Sequence, residues 1–125
     1  MAVINETSNL ADLIKFEEES LFYSRNTETI ASGQNLDLGT IVGRKTADGK
    51  IYALNPAATD GTQTAAGVLI EPINATLIDK TGLILARHAI VADKALVWPA
   101  GITNPQKAAV ATRLDARGIL IYQSA

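Results

Sequence analysis

His88 is the single histidine of the chain, and it is the first residue to consider for chemistry. A histidine can activate a serine or threonine hydroxyl as a general base, or it can bind a metal ion. However, His88 lies in a strand-like stretch between Arg87 and Ala89, and no carboxylates flank it with metal-ligand spacing. We therefore predict a surface or edge histidine, with no catalytic and no metal-binding residue in the chain.

The three consecutive glutamates, Glu17–Glu19, are the densest group of carboxylates. Adjacent side chains point in different directions on a helix or a strand, so these residues do not form a paired acid–base site. We predict a solvated acidic patch instead. The glycines form neither a GxxxxGK[ST] nor a GxGxxG phosphate loop, and the chain contains no cysteine for thiolate catalysis or cysteine-ligated metals. No cofactor is therefore expected.

The composition limits the remaining classes of function. The chain has 125 residues, 47% of them hydrophobic, and a formal net charge of −2. This size fits one domain, and the charge argues against a direct nucleic-acid contact. No apolar run approaches the roughly 18 residues of a membrane span, and the first residues lack a secretory signal pattern. We therefore expect no membrane contact and synthesis in a cytoplasm.

Strand signals dominate residues 26–100. Asp48-Gly49 favours a tight turn between apolar stretches at 38–44 and 51–54, so we predict a hairpin there. The run Ala65–Ile73, which contains Val68 and Ile70, is the most apolar part of the chain and predicts a core strand. We also predict a second hairpin, in which the turn 79–82 separates strands at 75–78 and 83–87, and further strands at 89–91 and 95–98.

One helix is expected near the end of the chain. Thr103-Asn104-Pro105-Gln106 has the pattern of a capping box with proline in the first turn, and Gly118 suits the left-handed position after the last turn. A final strand, Ile119–Ile121, should follow. The predicted fold class is mainly β, with one short C-terminal helix.

The Trp98-Pro99 pair allows two interpretations. A lone tryptophan can line a ligand pocket, but it is more often a core anchor that fills a large volume. We predict that Trp98, Pro99, Val68 and Ile70 belong to the structural core. Aromatic residues make up only 5% of the chain, which is too few for a nucleic-acid stacking platform.

Residues 1–25 differ from the rest. Five acidic residues and one lysine lie within the first 20 positions, and the apolar residues have helical spacing for barely one turn. Such a segment is either packed irregularly or ordered by a partner. We predict an extended N-terminal arm, residues 1–25, and a body, residues 26–125, and we expect residues 2–25 to be dispensable for folding. Its candidate partner-binding residues are Leu10, Leu13, Ile14, Phe16, Leu21, Phe22 and Tyr23.

The order of several features resembles a known family, the lambda-type phage head decoration protein D. Thr59-Asp60-Gly61 precedes the apolar stretch Ala65–Ile70, and Ala95–Pro99 precedes the polar helix start with Lys107. The segment Arg117–Ile121 closes the pattern, and Gly39–Gly43 adds an upstream match. The resemblance covers about residues 35–121 well.

The resemblance implies a β-rich, β-clip-like body that assembles as a homotrimer on the outside of an expanded phage capsid. Such trimers stabilise the shell against packaged DNA, and the arm becomes ordered by pairing with the major capsid protein. Two other hypotheses remain open. A small β-barrel ligand-binding or regulatory module would need polar groups converging around Trp98 or His88, and a small hydrolase would need His88 as its base.

Overall fold

The computed structural model describes residues 10–17 and 24–122. Within them, a one-turn helix and one strand come first, followed by nine further strands and a second helix. In chain order the elements are α1 (Leu10–Leu13), β1 (Ile14–Glu17), β2 (Arg25–Ile30), β3 (Gln34–Leu36), β4 (Ile41–Arg44), β5 (Ile51–Ala53), β6 (Ala65–Leu69), β7 (Ile73–Ala75), β8 (Lys80–Leu85), β9 (Ala89–Ala92), α2 (Asn104–Ala116) and β10 (Ile119–Tyr122). The predicted class, mainly β with one short C-terminal helix, is confirmed.

Five strands close into a barrel in the order β2-β5-β4-β6-β8. Each barrel strand contributes one large buried side chain to a common cluster; these are Ile30, Ile51, Val42, Leu69 and Ile84. Strands β3 and β7 form a separate two-stranded ribbon, and their Leu36 and Ala75 join the same cluster. Closing the sheet removes its free edges, so the barrel is a rigid unit that can carry surface features in fixed positions.

A second and larger core lies outside the barrel wall. It is covered by a three-stranded sheet, β1-β9-β10, and by helix α2. Strand β6 serves both cores, since Val68 packs in the larger cluster while the adjacent Leu69 packs in the barrel cluster. All five residues of β6 are therefore buried, as its uniformly apolar sequence requires.

Local signals in the sequence correspond well to the structure. Strands β4 and β5 form the predicted hairpin, in which Gly49 has a φ of 71° and the Asp48 side chain accepts a hydrogen bond from the backbone N–H of Lys50. The capping box is also confirmed: the backbone N–H of Gln106 donates to the Thr103 hydroxyl, and the backbone N–H of Thr103 donates to the Gln106 side chain. Helix α2 ends before Gly118, whose φ is 79°.

The predicted second hairpin is wrong. Strand β7 pairs with β3, whereas β8 begins at Lys80, inside the predicted turn, and pairs with β2 and β6. The reason is long-range: β8 closes the barrel and buries Ile84 in the barrel cluster and Leu85 in the larger core, which a hairpin with β7 does not provide.

The predicted strand at 95–98 is also wrong. Residues Asp93–Ala95 form a 3-10 turn, and Val97 makes only an isolated bridge to Thr40. Pro99 follows at once and lacks the backbone N–H that a longer ladder needs.

The N-terminal segment is not separate from the body where the structure describes it. Leu13 is 0% exposed in the larger core, Leu10 and Ile14 are partly buried against it, and β1 pairs antiparallel with β9. This packing argues against the prediction that residues 2–25 are dispensable for folding, and urea unfolding of core variants in this segment tests it. Leu21, Phe22 and Tyr23 lie outside the described residues.

Candidate functional site

The outer face of the three-stranded sheet carries exposed apolar side chains. Phe16 of β1 and Leu120 of β10 both lie opposite Ile90 of β9, so the three project to the same side. Tyr122, two residues beyond Leu120, continues the row. Phe16 is 58% exposed, and Leu120 and Tyr122 are about half exposed. We call these four residues the apolar sheet face.

A β-bulge turns Phe16 outward. Ile14 pairs with Val91, but Phe16 pairs with Ile90, so two steps along β1 correspond to one step along β9. In a regular strand Ile14 and Phe16 would share a face. The extra residue, Lys15, instead leaves Ile14 against the core and Phe16 in solvent. The sequence alternation gave no indication of this reversal.

Glu17 ties the end of β1 to the start of β2. Both of its carboxylate oxygens lie 2.8 Å from Arg25 side-chain nitrogens, and the Ser24 hydroxyl donates to it as well. Its side chain is only 10% exposed, so the predicted solvated patch is wrong for Glu17; Glu18 and Glu19 lie outside the described residues. Burial by itself raises the pKa of Glu17, but the hydrogen bonds from Arg25 and Ser24 outweigh it and hold the pKa below its ordinary value.

A loop between β7 and β8 presents two more exposed aliphatic side chains. Leu77 is 90% exposed and Ile78 is 62% exposed. The next residue, Asp79, accepts a hydrogen bond from the backbone N–H of Ser32 at 2.8 Å and forms a salt bridge with Lys50 at 2.7 Å. We call Leu77 and Ile78 the 77–78 knob. Sequence reasoning missed it by assigning both residues to a strand, although Asn74-Ala75-Thr76 has the pattern of an Asx turn, which the structure forms.

A small pocket lies beside Trp98. Its volume is about 170 Å³, and its apolar walls are Leu36, Ile41, Leu54, Val97, Trp98 and Pro99. Val97 is 41% exposed, and Trp98 and Pro99 are half-buried. We call this feature the Trp98 pocket. Of the four residues assigned to the structural core, Val68 and Ile70 are buried, whereas Trp98 and Pro99 are only partly so.

A wider groove of about 770 Å³ runs between α2 and β10, on the other side of Trp98. The Lys107 ammonium group lies 5.3 Å from the centre of the Trp98 ring there. The ligand-binding hypothesis requires polar groups that await a ligand. Across the part of the chain that the structure describes, no buried side-chain polar atom lacks a hydrogen-bond partner. The groove itself is lined by exposed polar residues, among them Asn104, Thr112 and Asp115, which that finding does not cover.

His88 is exposed and lies in the short connection between β8 and β9, with a φ of 55°. Its ring lies so close to Gly118 that a Cβ atom there would clash with it. Residues 10–17 and 24–122 contain no group of three His, Cys, Asp or Glu side chains arranged to hold a metal ion. They also contain no helix that is long and apolar enough to cross a membrane. The His88 hydrolase hypothesis gains no support from this geometry.

Comparison with known proteins identifies the family. No individual curated protein matches the chain at a significant level. Residues 3–119, however, match the family described as bacteriophage lambda head decoration protein D, which is almost the whole of the 125-residue chain. The resemblance that the sequence motifs indicated is confirmed, and the chain belongs to the bacteriophage lambda head decoration protein D family, a family of structural proteins of the phage capsid.

Proposed function

We propose that this protein binds as a homotrimer to the outside of an expanded phage head and stabilises the shell against the pressure of packaged DNA. The observation that carries the proposal is the family match over residues 3–119. We further propose that the protein is made in the host cytoplasm and that its capsid partner is the major capsid protein.

The apolar sheet face is the surface we assign to the capsid. Phe16 is a candidate arm residue, and it lies on the same face of the sheet as Leu120 and Tyr122 from the other end of the chain, with Ile90 of β9 between them. Full burial of such a side chain contributes roughly 1.5–3 kcal/mol. Three subunits repeat the contact, so a modest affinity per subunit becomes strong attachment through avidity.

The assigned roles of the arm residues then differ. Leu13 holds the segment to the body, and Leu10 and Ile14 support it, whereas Phe16 faces the partner. We retain Leu21, Phe22 and Tyr23 as proposed capsid contacts. In the sequence they lie between Glu17 and Arg25, whose side chains form a salt bridge.

The test is to mix the purified protein with expanded capsids that lack it and to measure occupancy by electron microscopy. The wild type should decorate the capsids with threefold density and raise their resistance to heating. The double variant Phe16→Ser, Leu120→Ser should lose most of its occupancy. Thr29→Ala, an exposed substitution on the barrel wall, is the matched control. Absence of wild-type binding would refute the decoration proposal, and full binding by the double variant would refute the assignment of the sheet face.

A further inference from the structure

We infer that neighbouring copies of this chain join head to tail, with the 77–78 knob of one subunit seated in the Trp98 pocket of the next. The inference rests on the proposed homotrimer and identifies the two surfaces that build it. It concerns contacts between copies, whereas the apolar sheet face concerns the shell.

The loop that carries the 77–78 knob is already held in place in the single subunit. Its two aliphatic side chains lie in water, but the adjacent Asp79 is held from two directions by Ser32 and Lys50. The Lys50 side chain and, to a smaller extent, the hydrogen bond from the Ser32 backbone N–H lower the pKa of Asp79. A lowered pKa is consistent with a charged Asp79 that anchors the loop. A loop fixed in this way loses little conformational entropy when its tip becomes buried.

The Trp98 pocket has the size and lining that such a tip needs. Its volume of about 170 Å³ is close to the roughly 150 Å³ cavity that accommodates a benzene molecule in other proteins, so one leucine or isoleucine side chain fits. Leu36, Leu54 and Val97 supply aliphatic walls and Trp98 a flat one, and the polar residues Asn35, Asp37 and Thr40 complete the lining. Val97 remains 41% exposed in the single subunit, so the pocket also contains apolar surface that a neighbour can cover.

The placement of the two features favours a second copy over self-insertion. The knob follows Ala75, at the end of the β3–β7 ribbon where Gln34 pairs, whereas the pocket lies at the opposite end, where Leu36 pairs with Ile73. The two features therefore lie at different places on the subunit. Two different surfaces in contact make a heterologous interface, which closes into a ring when the rotation permits. A ring of three subunits requires this type of contact, because a self-complementary face produces pairs.

The chain contains no cysteine, so engineered cysteines report this contact without background. We expect a mixture of the single variants Leu77→Cys and Val97→Cys to form a disulfide-linked dimer under mild oxidation. The variant that carries both substitutions should form covalent trimers on a non-reducing gel. Leu77→Cys mixed with Leu120→Cys is the matched control, and this pair should not cross-link, since Leu120 belongs to the apolar sheet face.

A second variant, Leu77→Asp with Ile78→Asp, tests the energetics by light scattering and thermal unfolding of the full chain. Because the pocket takes one aliphatic side chain, and burial of one such side chain is equivalent to about tenfold or more in an equilibrium constant, the concentration for trimer dissociation should rise at least roughly tenfold. The thermal transition of the subunit should persist, since both side chains are already exposed. A wild type that is monomeric in solution and on capsids would refute the homotrimer itself. A wild-type trimer without the 77–97 cross-link, or a knob variant that stays trimeric and only loses capsid occupancy, would overturn the knob-and-pocket contact alone.

Discussion

Replacing Leu13 by alanine should destabilise the protein by about 2–5 kcal/mol. The side chain is 0% exposed and lies in the larger core with Val91, Leu114 and Ile119. Truncation removes its transfer free energy and leaves a cavity between the sheet and the barrel wall, which the rigid barrel cannot fill by collapse. Urea unfolding, followed by the fluorescence of the single tryptophan and by circular dichroism, measures the change directly.

The control for this prediction is Phe16→Ala in the same segment. Phe16 is larger than Leu13, but it is 58% exposed, so its truncation should change the free energy of unfolding by less than about 1 kcal/mol. If Leu13→Ala unfolds with the same midpoint as the wild type, residues 10–13 do not pack as described, and the independent arm becomes the better interpretation. An equal loss in both variants would instead show that the sheet face is buried in the free protein.

Three further predictions concern other parts of the molecule. Trp98→Ala should lower the free energy of unfolding by about 1–3 kcal/mol, less than for a fully buried ring, because the half-buried ring removes less apolar surface from water. A urea midpoint equal to that of the wild type would contradict this. Glu17→Gln should reduce stability at pH 7, since the salt bridge with Arg25 lowers the carboxyl pKa from 4.5; this contribution is present above that value and is lost as the pH falls through the lowered pKa. The difference in the free energy of unfolding between variant and wild type should therefore be larger at pH 7 than at pH 3, and a constant difference would exclude the linkage. Gly118→Ala should lower the free energy of unfolding by at least about 1 kcal/mol, because φ is 79° and the new Cβ meets the His88 ring. In thermal unfolding, adding His88→Ala should recover part of this loss, and full additivity of the two substitutions would argue against the clash.

The sequence by itself determined the features that depend on neighbouring residues. Asp48-Gly49 predicted the β4–β5 hairpin because only a few residue types accept positive φ in a tight turn. Thr103, Gln106 and Gly118 predicted the ends of α2 because helix termini leave backbone groups that local side chains and glycine satisfy. The mainly β class followed from the strand signals in the same way.

Tertiary structure alone decided which strands pair and which apolar residues remain outside. The 75–78 and 83–87 segments both favour strands, but the partner of β8 was decided by barrel closure rather than by the turn between them. Likewise, Ile14 and Phe16 are both apolar and two residues apart, yet Ile14 packs against the larger core and Phe16 is exposed because of a single bulge opposite β9. The candidate interfaces depend on this strand order: β10 brings Leu120 onto the same face of the sheet as Phe16, and the β3–β7 ribbon separates the 77–78 knob from the Trp98 pocket. These arrangements join residues that are far apart in the chain. Hydrophobic burial stabilises any close packing of apolar side chains and does not select their partners. The sequence pattern therefore identifies the apolar residues but not their arrangement.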